Sequence, residues 1–148
     1  MVDSPRRTRI FMDADVLFAG SASPNEYSAS LVLLRMAEIT LIEAIVSTQV
    51  ITEAERNLRA KIPLALPAFK LLVSRCLRET PDPHTDEIKA LNDLADPEDA
   101  PILAAAIREQ CPYLATFNVR HYQLGIKTVT VLKPGDLVQQ IRFLLSEL

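Results

Sequence analysis

Two carboxylates, Asp13 and Asp15, follow directly on the apolar run Ile10-Phe11-Met12. A short apolar run that stops abruptly reads as a buried strand of a parallel sheet, with Asp13 at its carboxyl end. Ligands of open α/β sheets bind beyond such ends. A carboxylate there costs desolvation energy unless a partner such as a cation compensates it. Three more polar residues stand where one site could collect them. Asn118 follows the strand-like Tyr113-Leu114-Ala115-Thr116 by two residues, Asp99 lies at a helix start, and Glu53 sits on a helix.

Each of these residues also has a plainer reading. On a helical wheel Val50, Ile51, Ala54, Leu58 and Ile62 form one apolar arc, with Glu53 at one edge and Glu55 at the other. Periodicity does not choose between the two acids, and either can be a solvated edge residue. Asp96 can cap a helix with Pro97 at its first position, leaving Asp99 to complement the dipole. Asp99 can equally be the cap, with Pro101 in the first turn. Asp15 reads as capping a turn or orienting its neighbours. Asp13 ends a strand and has no cap to make.

The elements that must position these groups alternate along the chain. Strands are expected at Arg9–Met12, Leu41–Val46, Tyr113–Thr116 and Thr128–Leu132. Val16 to Gly20 reads as a short apolar turn, and Ser21 to Asn25 as a loop. Helices are expected after Pro24, from Gln49 to Lys61, from Leu66 to Arg78, from Asp86 to Leu94, from Pro101 to Gln110 and from Pro134 to Leu148. This pattern predicts an α/β domain: a three-layer α/β/α sandwich with a mainly parallel sheet, in one domain over residues 1–148. Hydrophobic residues make up 49% of the chain, so it reads as globular rather than disordered. Nothing approaches the roughly 20 apolar residues needed to span a bilayer, and Arg6, Arg7 and Arg9 lead into no signal-peptide core, so a cytoplasmic protein is expected. Cys76 and Cys111 lie in no metal-like spacing and are expected to be buried free thiols. A net charge of −3 argues against a generally basic nucleic-acid binder but allows a local basic face.

With these residues placed, the chain resembles the PIN-domain family of metal-dependent ribonucleases, which includes the toxins of VapC-type toxin–antitoxin pairs. The matching stretches are Ile10-Phe11-Met12-Asp13-Ala14-Asp15; Val46-Ser47 followed by Glu53 and Leu58; Asp96-Pro97-Glu98-Asp99 leading into Ala100–Ala106; and Thr116-Phe117-Asn118 with Arg120, His121 and Tyr122 after it. The resemblance selects Glu53 over Glu55. It implies Asp13, Glu53, Asp99 and Asn118 as catalytic residues, with Asp13 and Asp99 holding the metal and Asp15, Asp96 and Thr116 in support. Two positions depart from the pattern. Residue 15 is Asp where many members carry Asn, and residue 118 is Asn where many carry Asp, which puts a second metal position in question.

Oxygen ligands of this kind suit Mg²⁺ or Mn²⁺; zinc would call for His or Cys. The implied activity is hydrolysis of an RNA phosphodiester by an endoribonuclease, with an antitoxin protein as a candidate partner and a homodimer as a candidate assembly. From Arg56 to Arg78 six basic residues occur without an acid, a solvated face or a phosphate-tracking surface. Arg56, Arg59, Lys61 and His121 are its candidate RNA contacts, although His121 also reads as a surface or packing residue, and His84 as an exposed loop residue. The last helix carries Leu137, Ile141, Leu144 and Leu145 on a face that can pack on the core or join a dimer. The main alternative is a PIN fold kept as a catalytically weak or inactive binding module. A haloacid-dehalogenase-like phosphatase would use Asp13 and Asp15 but leave Glu53 and Asn118 idle. A signalling receiver would need an acid ending a middle strand, which Ile45-Val46-Ser47 lacks.

Overall fold

The computed structural model describes residues 7–23, 25, 28–123, 126 and 128–147. Five strands form one all-parallel sheet in the order β3-β2-β1-β4-β5: β1 (Thr8–Met12), β2 (Ile42–Ser47), β3 (Leu77–Thr80), β4 (Tyr113–Ala115) and β5 (Thr130–Leu132). Seven α-helices are described: α1 (Ala14–Ala22), α2 (Ala29–Glu38), α3 (Thr48–Lys61), α4 (Leu66–Cys76), α5 (Thr85–Lys89), α6 (Ala100–Arg108) and α7 (Pro134–Ser146). Helices α1 to α4 pack on one another, with α7 against α2, while α5 and α6 form a second group, with α6 on β1 and β4. The sheet between helical layers is the expected α/β/α architecture. Its centre is β1, whose Ile10, Phe11 and Met12 are completely buried, as a strand covered on both faces requires.

Two elements differ from the reading of the sequence. Residues 16–20 are not a turn but the body of α1. Ala14, Val16, Leu17 and Gly20 are all buried there, so the helix has no polar face and no amphipathic period to betray it. Gly20 permits the tight packing: a Cβ there would lie 2.6 Å from Leu34 Cδ1 of α2. Strand β3 occupies Leu77–Thr80, where the α4 pattern was expected to run on to Arg78. It is an edge strand whose Arg78 and Glu79 face solvent, and it carries too little apolar signal to read as a strand.

Boundaries shift elsewhere. Ser28 caps α2 through its side chain, and Pro24 and Leu148 lie outside the described residues. Helix α5 stops at Lys89, well before Leu94, and His84 forms its capping box with Glu87. Both cysteines are buried free thiols, as expected, Cys76 at the end of α4 and Cys111 after α6. In α7, Leu137 and Ile141 pack into the core, whereas Leu144 and Leu145 stay exposed.

Helix α3 joins the core to the site. Ser47, the last residue of β2, caps it by accepting a hydrogen bond from Val50 N at 3.4 Å. Val50, Ala54 and Leu58 are its buried stripe, which fixes the helix's rotation. Leu58→Ala should lower the unfolding free energy by about 2–5 kcal/mol, since it empties a fully buried site. Arg59→Ala, one residue on, removes only an exposed pair with Glu55 and should cost under about 0.5 kcal/mol. Urea denaturation of the two variants checks the assigned rotation; similar losses would refute it.

Candidate active site

Because β1 and β4 are neighbours in a parallel register, their carboxyl ends bring Asp13 and Thr116 together. Asp13 N continues the pairing by donating to Ala115 O at 3.0 Å. The Asp13 side chain does make a cap, contrary to the expectation for a strand end: the next residue begins α1, and Oδ1 accepts from Ala14 N at 2.7 Å. Its Oδ2 accepts from the Thr116 hydroxyl at 2.9 Å, and Asp13 is only 7% exposed. Asp15 lies in the first turn of α1 and does not cap it. Its Oδ2 accepts from Phe117 N at 3.1 Å and Asn118 Nδ2 at 3.2 Å, with the Thr116 hydroxyl farther off at 3.4 Å. The two positions that depart from the PIN pattern are therefore hydrogen-bonded to each other, carboxylate to amide. Asn118 N in turn donates to Thr116 Oγ1 at 3.1 Å.

Asp99 occupies the N-cap position of α6, yet its side chain makes no cap hydrogen bond. It turns to His121, whose Nδ1 is 2.9 Å from Asp99 Oδ2. The segments bearing these two residues are strapped together: Asp96 N donates to His121 O at 2.9 Å, Gln123 N donates to Leu94 O at 2.9 Å, and Ala95 bridges Tyr122. Asp96 Oδ2 lies 3.9 Å from His121 Nδ1 but is mostly exposed. His121 is thus more than a surface residue.

One cleft of about 690 Å³ is lined by Asp13, Asp15, Glu53, Asp99, Asn118 and His121, together with Arg56 and Lys61. Five separate elements deliver these groups: the end of β1, the first turn of α1, helix α3, the start of α6 and the loop after β4. Glu53 faces the cleft, while Glu55 turns away and pairs with Arg59 at 3.1 Å. Arg59 is therefore not brought to the site. Nor is the basic run one surface, because Arg78 is tied to Glu43 at 2.7 Å. Thr116 is fully buried behind Asp13, and Asp96 stands just outside the lining.

Sequence reasoning missed Gln49, Asn57 and Phe18, which also line the cleft. A signal existed for the first two. Gln49, Glu53, Asn57 and Lys61 recur every four residues, a polar stripe alongside Val50, Ala54 and Leu58. Phe18 gave none; its ring lies 5.7 Å from Lys61 Nζ, within cation–π reach.

The electrostatics are those of crowded acids. Burial, then the Asp15 charge, pushes the Asp13 carboxyl up to about 7, against the opposing hydrogen bonds from Ala14 and Thr116. Burial also raises Asp15, with Glu53 adding to the effect, and raises Asp99 against the pull of His121. The Tyr122 hydroxyl is buried without a hydrogen-bond partner among the described residues, and burial followed by the Asp13 and Asp99 charges raises its pKa. A divalent cation would reverse this repulsion. The donors are carboxylate and amide oxygens, the chemistry Mg²⁺ and Mn²⁺ take, so the residues fit such an ion.

A parallel α/β sheet with an acid-lined cleft beyond the ends of its central strands defines the class. The family model described as "PIN domain" matches residues 9–120, more than half of the chain, and the chain belongs to the PIN-domain family. No functionally curated protein matches the sequence. Among solved structures, a chain of the Rickettsia felis VapBC2 complex, bound to a DNA fragment from their promoter, has a TM-score of 0.65 at 14% identity, covering 85% of this chain and 98% of that one. PAE2754 from Pyrobaculum aerophilum gives 0.64 at 17%, covering 92% and 96%. VapC20 of Mycobacterium tuberculosis, a Sarcin-Ricin loop cleaving toxin, gives 0.51 at 16%, covering 71% and 86%. At these identities the likeness is one of fold.

The raised Asp13 carboxyl carries a stability consequence. Between its ordinary value of 3.8 and about 7, folded Asp13 keeps a proton that the unfolded chain has released. Stability supplied by that proton is complete below about pH 4 and is lost as pH rises through about 7. With chelator present, Asp13→Asn should flatten this slope and be the more stable protein at pH 8, by a few kcal/mol at about 1.4 kcal/mol per pKa unit. Urea denaturation at several pH values measures it; parallel profiles for the two proteins would show that Asp13 does not carry the slope.

Proposed function

We propose that this protein is a Mg²⁺- or Mn²⁺-dependent endoribonuclease, a phosphodiester hydrolase of the VapC-toxin kind. The observation that carries the reading is the convergence of Asp13, Glu53, Asp99 and Asn118 from four elements onto one cleft, with Arg56 and Lys61 on the same wall as Glu53. Membership of the PIN-domain family and the fold shared with VapC20 support it. They leave the phosphatase and receiver readings without support.

Asp13 and Asp99 would hold the cation, and Glu53 and Asn118 would orient a water against the phosphorus. The ion would lower the pKa of that water and offset the charge building on the phosphoryl group. Water oxygen joins phosphorus as one ester bond to ribose breaks. Thr116 fixes Asp13 through its hydroxyl, and the Asn118 amide fixes Asp15. Arg56 and Lys61 face the cleft, where they would meet backbone phosphates.

This reading names an antitoxin protein as partner, by analogy with the VapBC2 complex, and the cytoplasm as the place of action. A homodimer is the assembly it suggests, with Leu144 and Leu145 of α7 exposed for the contact. No described helix is long and apolar enough to cross a membrane. One observation favours a second reading: Asn118 brings no charge and is engaged with Asp15, as befits a PIN fold retained as a weak or inactive binding module.

Incubation with mixed structured and single-stranded RNA should give cutting that needs Mg²⁺ or Mn²⁺ and stops with chelator. Asp99→Asn should slow it by about a hundredfold or more, since a metal ion supplies several kcal/mol of transition-state stabilisation. Metal binding without cutting would favour the binding module. RNA affinity should fall steeply with salt. Arg56→Ala and Lys61→Ala should each lower the log–log slope by roughly one, and Arg59→Ala should leave it unchanged. Equal effects of all three would place the RNA elsewhere.

A further inference from the structure

His121 is one of two histidines in the chain, and it is the one at the cleft. Its place is fixed by backbone bonds on both sides. His121 N donates to Asn118 O at 3.0 Å, and its carbonyl accepts from Asp96 N at 2.9 Å. The ring is thereby aimed at the turn that carries Asp96 and Asp99. One ligand atom from each of Asp96, Asp99 and His121 lies within 4.8 Å of the others, a spread that one cation can gather. Asp99 is the member this cluster shares with the proposed ribonuclease site.

The donor set differs in kind from the rest of the cleft. Asp13, Asp15, Glu53 and Asn118 offer oxygen as ligand atoms, to which a hard ion binds well. An imidazole nitrogen beside two carboxylates favours a first-row transition metal, because Mg²⁺ gains little from nitrogen. Asn118, which adds no charge, makes a further ligand on the Asp99 side the more consequential.

We infer that His121, through Nδ1, is a ligand to the divalent cation at Asp99, with Asp96 as a further carboxylate, and that it biases the site towards Mn²⁺ over Mg²⁺. This rests on the metal-dependent reading of the cleft and adds a ligand and an ion preference to it. The neutral ring keeps its proton on Nε2 while the Nδ1 lone pair faces the ion, and Asp99 exchanges its bond to the ring for a bond to the same cation. The alternative is a bond between His121 and Asp99 that only positions the carboxylate.

The test uses the full chain with Mn²⁺ alone. Pulsed electron paramagnetic resonance of bound Mn²⁺ should show modulation from a directly coordinated imidazole ¹⁴N. His121→Asn should abolish that modulation and weaken Mn²⁺ binding by about tenfold or more, with Mg²⁺ affinity nearly unchanged. His84→Gln, at the start of α5 and away from the cleft, should leave the spectrum as it was. Asp96→Asn should weaken Mn²⁺ binding while keeping the ¹⁴N signal. Bound Mn²⁺ without the modulation, or modulation that persists in His121→Asn, would overturn the assignment and leave a carboxylate-held ion and the ribonuclease reading standing. No Mn²⁺ binding would overturn both. If His121→Asn does not fold, His84→Gln still decides the matter: with two histidines in the chain, modulation that survives it comes from His121, and modulation lost in it would overturn the assignment.

Discussion

A carboxylate held in the protein interior at the end of the central strand is the constraint on which the site depends. Asp13 cannot escape to solvent, because β1 is buried on both faces and α1 begins at the next residue. Its two oxygens are held by Ala14 N and the Thr116 hydroxyl, so its orientation is set before anything binds. Two hydrogen bonds do not fully compensate for lost hydration beside a second carboxylate, and the raised pKa records the deficit. A divalent cation would supply what remains.

The rest of the fold arranges neighbours around that point. Strand β4 pairs directly with β1, so Thr116, Phe117 and Asn118 arrive beside Asp13 and Asp15. Helix α3 is rotated by its Val50, Ala54 and Leu58 stripe, and the polar stripe flanking it turns Glu53, Asn57 and Lys61 into the cleft. The strap between residues 94–96 and 121–123 delivers Asp99 and His121 as one unit.

Much of this was legible in the sequence where burial leaves a one-dimensional trace. Strands β1, β2 and β4 read correctly because strands inside a parallel sheet are continuous apolar runs, and β5, although an edge strand, because Thr128 to Val131 is a β-branched run. Asp13, Asp99 and Asn118 stood out because each ends or begins an element. Helix α1 was illegible because it is buried nearly all round, and β3 because its exposed Arg78 and Glu79 leave no apolar run. The choice of Glu53 over Glu55 needed the family resemblance, since both border the same apolar arc.

The order of apolar and polar residues by itself determined the α/β class and the strand ends at which acids could gather, because hydrophobic burial and chain periodicity act locally. What only the tertiary structure decided is which polar groups meet. Asp15 with Asn118, and Asp99 with His121, are 103 and 22 residues apart in sequence. No local pattern encodes such pairings. They follow from strand order in the sheet and from the backbone bonds that bring distant turns together.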